Sequence, residues 1–325
     1  MLDEVGRLPV PVDEYPPVEI VPPCPHDNVL RELHEAFLKE WRAEQGPRPR
    51  ILYHYTSLEG LAGILRLHRL RATDVAYMND SLELQLASSL IAASLDEAAR
   101  DASPIQQELL RRSRLDAKPT DLSRSFYVTC FCDDGDLLSQ WRAYGANGGG
   151  YALGFSAYEI AWPGPCGLRR VIYDPAVQQR LVRGTIQRAC GAFAAIAARA
   201  TRAELDASLT FPAFASLLAN HLHEFEVTFK HDTFAAEKEW RFIIVAALDG
   251  IVPHVQFRTD RALPIPYRYT PLRVPVLNSP LLPIVRVVHG PTVHPDLTKK
   301  SLHMLLQSTD YDHVEVGGSR SSLRA

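Results

Sequence analysis

Two glutamates, Glu237 and Glu239, stand two positions apart at the head of Trp240-Arg241-Phe242-Ile243-Ile244-Val245. That run is the strongest strand pattern in the chain, and a strand is predicted over 239–248. Residues two apart on a strand share a face. Paired carboxylates there can divide the work. One can serve as a fixed charge and the other as a general base. Their mutual repulsion is expected to raise one of the two pKa values, which suits a base. The plainer alternative is a solvated charged turn, Glu-Lys-Glu, ahead of a strand.

Other candidates fall in short polar clusters. His54 lies in Ile51-Leu52-Tyr53-His54-Tyr55, a run of β-formers, while Thr56 and Glu59 have the spacing of a capping box. A strand is therefore predicted to run straight into a helix. A neutral imidazole at that junction either binds a ligand or satisfies buried backbone groups. Thr56 either caps the helix or helps its N-terminus hold a diphosphate. Asn79 or Asp80 is the expected N-cap of a helix starting near 81, with Glu83 in the capping-box position; the alternative role for Asn79 is ligand contact. Trp141, Arg142 and Tyr144 sit in a polar connection, 133–150, whose Gly148-Gly149-Gly150 gives it the freedom of a lid. Their rings either stack on a flat ligand or plug the loop onto the core. Lys230 can contact phosphate.

The elements that must position these groups follow from periodicity. Val29, Leu30, Leu33, Phe37 and Trp41 predict an amphipathic helix from Asp27 to about Glu44, after a proline-rich, acidic arm over 1–25. Further helices are predicted over 58–65, 81–113, 176–206, 212–230 and 297–307. Strands are predicted at 51–55, 70–73, 125–132, 151–155, 171–173, 239–248, 254–258, 265–270, 284–289 and 314–316. Strands and helices do not alternate regularly, which indicates an α+β fold rather than a doubly wound parallel sheet. The expected organisation is an N-terminal arm and helix over 1–50 and a single α+β domain over 51–325.

Composition narrows the function. The 325 residues are 46% hydrophobic and carry 35 basic against 38 acidic side chains, net −3. That balance excludes a globally basic nucleic-acid or membrane binder but leaves room for a local basic groove. The N-terminus lacks the basic and apolar regions of a secretory signal, and no apolar run approaches a membrane span, so a cytoplasmic location without membrane contact is expected. Of five cysteines only Cys130 and Cys132 are close; they read as two buried side chains, with a zinc half-site lacking its other two ligands as the alternative, and a reducing compartment fits. No glycine-rich phosphate loop, serine elbow or metal-ligand spacing occurs, and no metal is expected.

Together, several stretches resemble a bacterial family known only as a domain of unknown function (number 2971). They are Tyr53-His54-Tyr55-Thr56-Ser57, Met78-Asn79-Asp80 with Glu83, Ser139-Gln140-Trp141 with Tyr144, Lys230, Glu237-Lys238-Glu239-Trp240-Arg241, Pro266-Tyr267, Gly290-Pro291, and Ser319 with Arg324. They span residues 51–324. Ser322-Leu323-Arg324 departs from the family's usual Pro-Tyr-Arg.

More distantly, the strand ending in His-x-Thr and the Glu-x-Glu before a late strand resemble ADP-ribosyltransferases, in particular the DNA-modifying toxin and tRNA 2′-phosphotransferase branch. That resemblance implies a split, twisted β-sheet core with surrounding helices. It also implies an NAD-dependent transferase, as a toxin or defence effector, in which NAD is the substrate and a nucleic acid or protein the acceptor. Glu239 and Glu237 would be catalytic. His54, Tyr55, Thr56, Asn79, Trp141 and Tyr144 would bind NAD, and His54 and Glu239 would open into one cleft. The alternative is a non-catalytic binding or sensing module on the same fold.

Overall fold

The computed structural model describes residues 26–78, 81–114, 126–144, 150–159, 167–208, 210–245, 255–260, 263–270, 272 and 281–321, with backbone only at 81–84, 207, 245 and 260. In chain order the elements are α1 (Asp27–Gln45), β1 (Ile51–Thr56), α2 (Leu58–Leu67), β2 (Leu70–Asp74), α3 (Ser81–Arg100), α4 (Pro104–Arg112), β3 (Phe126–Cys132), α5 (Leu138–Tyr144), β4 (Tyr151–Ser156) and β5 (Gly167–Arg170). Then follow α6 (Pro175–Ala197), α7 (Arg202–Ala207), α8 (Thr210–Glu226), β6 (Glu239–Val245), β7 (Gln256–Asp260), β8 (Leu263–Thr270), β9 (Ile284–His289), α9 (Pro295–Gln307) and β10 (Glu315–Gly318). A 3-10 turn, Asp232–Glu237, leads into β6.

The fold is α+β. The described strands form one sheet, ordered β10-β9-β4-β1-β3-β2-β8-β7, with β6 on β3 and β5 on β6. All pairings are antiparallel except β10 with β9.

The sheet branches at β3. One edge of β3 pairs along its length with β6, from Phe126↔Val245 to Cys132↔Glu239. The other edge is shared: β1 takes its end at Tyr53↔Cys132, and β2 takes its start at Thr73↔Val128 and Asp74↔Tyr127. Between them the Cys130 carbonyl has no strand partner on that edge and accepts from His54 Nδ1 at 2.9 Å. The Thr129 hydroxyl bridges the same gap, 3.2 Å from the Arg71 carbonyl oxygen.

Alternation sorts the side chains into two layers. Leu52, Tyr127, Phe131, Leu153, Trp240 and Phe242 share one face and pack under α2 and α9 through Leu61, Leu65, Leu302 and Leu306. On the opposite face, Val128 and Ile243 meet Val227 after α8, while Tyr55, Cys132 and Ala152 lie under Trp141 of α5. A helical layer of α1, α3, α6 and α8 closes around Phe37, Trp41, Leu181, Val182, Leu222 and Phe225.

Several boundaries differ from the sequence expectation. The helix predicted over 81–113 is two, because Ser103 and Gln106 form a capping box around Pro104 and restart it. The pattern over 176–206 also divides, at the Thr201–Glu204 capping box. The strand predicted at 171–173 lies at 167–170, and Ile172 makes only an isolated bridge to Phe229. Helix α5 falls within the connection read as a lid. The N-cap of α2 is Ser57, whose hydroxyl accepts from Gly60 N, and not Thr56, which ends β1.

Phe242 is fully buried in the middle of the longest strand pairing. Phe242→Ala is expected to lower stability by about 3–5 kcal/mol. In urea unfolding this appears as a lower midpoint with an unchanged slope.

Candidate functional site

Glu239 opens β6 on the face that carries Cys130 and Cys132. Its carboxylate is buried and fully engaged. Arg241, two residues on, approaches it with Nε 2.8 Å from Oε1 and Nη2 3.1 Å from Oε2. Lys230 Nζ lies 3.3 Å from Oε2, and the Cys130 thiol is a further hydrogen-bond partner. The Glu239 backbone N–H donates to the Tyr173 hydroxyl at 2.9 Å. Burial alone would raise the Glu239 pKa, but Arg241, then Lys230 and the Cys130 hydrogen bond, outweigh it and hold the carboxyl down at about 2. Burial, followed by the Glu239 charge, pushes the Cys130 thiol well up, so it stays protonated.

Repulsion between the paired carboxylates therefore does not raise Glu239, whose carboxyl is lowered. Two buried cations act on it more strongly than the second carboxylate.

Glu237 occupies the rim. Its side chain is 26% exposed and accepts from Lys230 Nζ at 2.7 Å. It does not reach Glu239's neighbourhood by strand alternation, because it ends the 3-10 turn and Lys238 follows in the left-handed region at φ 48. The chain turns there, and the two carboxylates meet on Lys230. Tyr144, at the end of α5, leaves 48% of its surface exposed. Its phenol pKa is raised, by burial of the hydroxyl end and then by Cys130, Glu239 and Glu237. The phenol thus lies within electrostatic reach of the cluster while much of the residue is exposed.

His54 does not join this cluster. Tyr53↔Cys132 and Cys132↔Glu239 place Tyr53 and Glu239 on one face, so His54 points to the other. There its ring meets Phe131 edge-on, with centroids 6.0 Å apart. A carbonyl only accepts, so Nδ1 carries the proton bonded to Cys130 O, and burial lowers the ring's pKa and keeps it neutral. The expectation of one cleft holding both His54 and Glu239 is not met.

The remaining predicted residues make contacts within the protein or are undescribed. The Tyr55 hydroxyl donates to Asp134 O at 2.8 Å and accepts from Leu137 N at 2.9 Å, pinning the segment before α5. Thr56 packs its hydroxyl against Gly60, where an added Cβ would collide with Oγ1. Trp141 is completely buried and donates from Nε1 to Asp136 at 2.9 Å, so it plugs α5 onto the sheet and offers no open face. Asn79 and Asp80 lie outside the described residues, as do Gly148, Gly149 and Arg324. The side chain of Glu83 is likewise undescribed.

Sequence reasoning missed Tyr173 and the part played by Cys130 toward Glu239. Their only signal was position, one after β5 and one two residues before the end of β3. It also missed Asp136, which accepts from the Ser319 hydroxyl and from Arg320 N at 2.8 Å as well as from Trp141.

Residues 140–242 match the model of a family described as "Protein of unknown function (DUF2971)". The match supports the resemblance to that family, and it contains Tyr144, Tyr173, Lys230, Glu237, Glu239 and Arg241. No curated protein and no solved structure matched the chain. Among the described residues no helix is long and apolar enough to cross a membrane.

Removing Glu239 would leave two buried cations without their shared counter-charge. Glu239→Gln is expected to cost about 3–5 kcal/mol of stability at neutral pH. The contribution has a defined pH window. The folded carboxyl titrates near 2 and an ordinary one near 4.5, so the stabilisation is complete above 4.5 and is lost as pH falls through 2. Urea unfolding of both proteins across that window should show the gap between them narrowing toward acid. A constant gap would contradict the assignment.

Proposed function

We propose that the chain is a binding or sensing module, with its ligand site at the rim formed by Glu237, Lys230 and Tyr144. One observation carries this reading: both Glu239 oxygens are already held by Arg241 and Lys230 inside the protein. A carboxylate so engaged anchors structure and does not meet substrate. Glu237 is the half-buried partner of Lys230 at the rim, so an anionic ligand group can replace it there. Tyr144 offers a ring beside that exchange point. NAD is the ligand that the sequence resemblance suggests, its phosphates matching Lys230.

A second reading, NAD-dependent ADP-ribosyl transfer, draws support from the convergence of Glu237 and Glu239 on one lysine. In that case Glu237 orients the acceptor, and Glu239 supplies fixed negative charge opposite a ribosyl cation.

Incubation of the purified chain with NAD separates the two. The binding reading expects NAD to raise the thermal midpoint without release of nicotinamide, and Glu237→Gln to tighten binding by removing one of the two carboxylates that Lys230 holds. Nicotinamide release that disappears in a folded Glu237→Gln protein would establish the transferase instead. Neither a thermal shift nor release would remove NAD as the ligand.

A further inference from the structure

The strands beyond the branch carry an unusual set of side chains on the Glu239 face. Thr73↔Val128 fixes the register of β2 against β3, and two residues along it Arg71 comes level with Cys130. Arg71 pairs with Tyr269 of β8, Thr73 with Tyr267, Gln256 with Tyr267, and Arg258 with Ile265. By alternation Arg71, Arg258, Tyr267 and Tyr269 all project from one side of β2, β8 and β7.

The arginines and tyrosines are interleaved. The Arg69 guanidinium carbon lies 5.1 Å from the Tyr269 ring centroid, and that of Arg71 lies 4.8 Å from Tyr267. The two rings meet edge-to-face at 5.6 Å, and the Tyr267 hydroxyl donates to Gln256 at 2.8 Å. Arg69 and Arg71 are exposed, while Tyr269 and Arg258 are half-buried.

The contrast with the helical layer is informative. There Arg111, Arg112, Arg180, Arg183 and Arg188 each sit on a carboxylate. Among the described residues no carboxylate pairs with Arg69, Arg71 or Arg258. The described side chains of this face are therefore basic, on a chain whose net charge is −3. Resting the guanidinium groups on phenol rings fixes them before any partner arrives, which lowers the ordering cost of binding. Their outward N–H groups match phosphate oxygens, and their planes and the tyrosine beside them match unstacked bases.

We propose that this face of β2, β8 and β7 binds a single-stranded nucleic acid through Arg69, Arg71, Arg258 and Tyr269. Charge complementarity selects an anionic chain, and the alternation of cations with flat rings selects one that also presents bases. A duplex hides its base faces, and an acidic peptide has none. The proposal does not depend on what the rim site around Glu237 binds.

Fluorescence anisotropy on the full chain tests it, with labelled single strands of about ten nucleotides. Wild type should bind, and the affinity should fall with salt. The Arg69→Gln/Arg71→Gln double variant should bind at least about tenfold more weakly and lower the log–log salt slope by about 1.4, two phosphate contacts' worth. Both residues are exposed, so the thermal midpoint should stay near that of wild type. Arg71→Lys should keep the salt slope and still lose affinity, because an ammonium keeps the charge but not the stacking plane. Absence of binding at low salt would overturn the proposal, as would retained affinity in the double variant. Equal or tighter binding of a duplex or of polyglutamate would overturn it in favour of another anionic partner.

Discussion

Arg241 and Lys230 are both buried, and Glu239 is the group that makes this tolerable. Taking a guanidinium and an ammonium out of water costs several kcal/mol each, in rough terms, unless a well-placed counter-charge compensates. Glu239 answers both from the first residue of β6. Arg241 also donates to Val227 O at 2.9 Å, so the charge cluster ties the head of β6 to the end of the helical layer. The sheet and the helices thus share one polar junction. Its anion is committed to holding the junction together.

The branching of the sheet sets the second constraint. Because β1 and β2 divide one edge of β3, a stretch of that edge has no strand partner, and buried carbonyls need donors from elsewhere. His54 supplies one to Cys130 O. The imidazole and the acid thus meet the same residue from opposite sides, one at its carbonyl and the other at its thiol.

Much of the scaffold was legible in the sequence, and the reasons are local. Phe126–Cys132 and Glu239–Val245 read as strands because β-branched and aromatic residues crowd them. The first helix read correctly because its apolar stripe is regular from Val29 to Trp41. What was not legible depended on register or on distant neighbours. No local pattern reveals that Tyr53 stands opposite Cys132, yet that pairing decides which way His54 points. The two-residue spacing of Glu237 and Glu239 suggested a shared strand face, but Lys238 takes a left-handed conformation, which a non-glycine residue seldom announces. The direction of the Glu239 pKa followed from Arg241 and Lys230 closing on it in the interior, a convergence not visible in Glu-Lys-Glu. Helix α5 was hidden because its seven residues are too few to show a period.

Asp136 joins parts of the chain made at very different times. It accepts from Trp141 only five positions away and from Ser319, 183 positions away. A nascent chain exposes the first partner early and the second near the end of synthesis. The wall that α5 builds beside the charge cluster therefore gains its last fastening only after β10 has docked on β9, so the cluster can assemble well before its surround is secured.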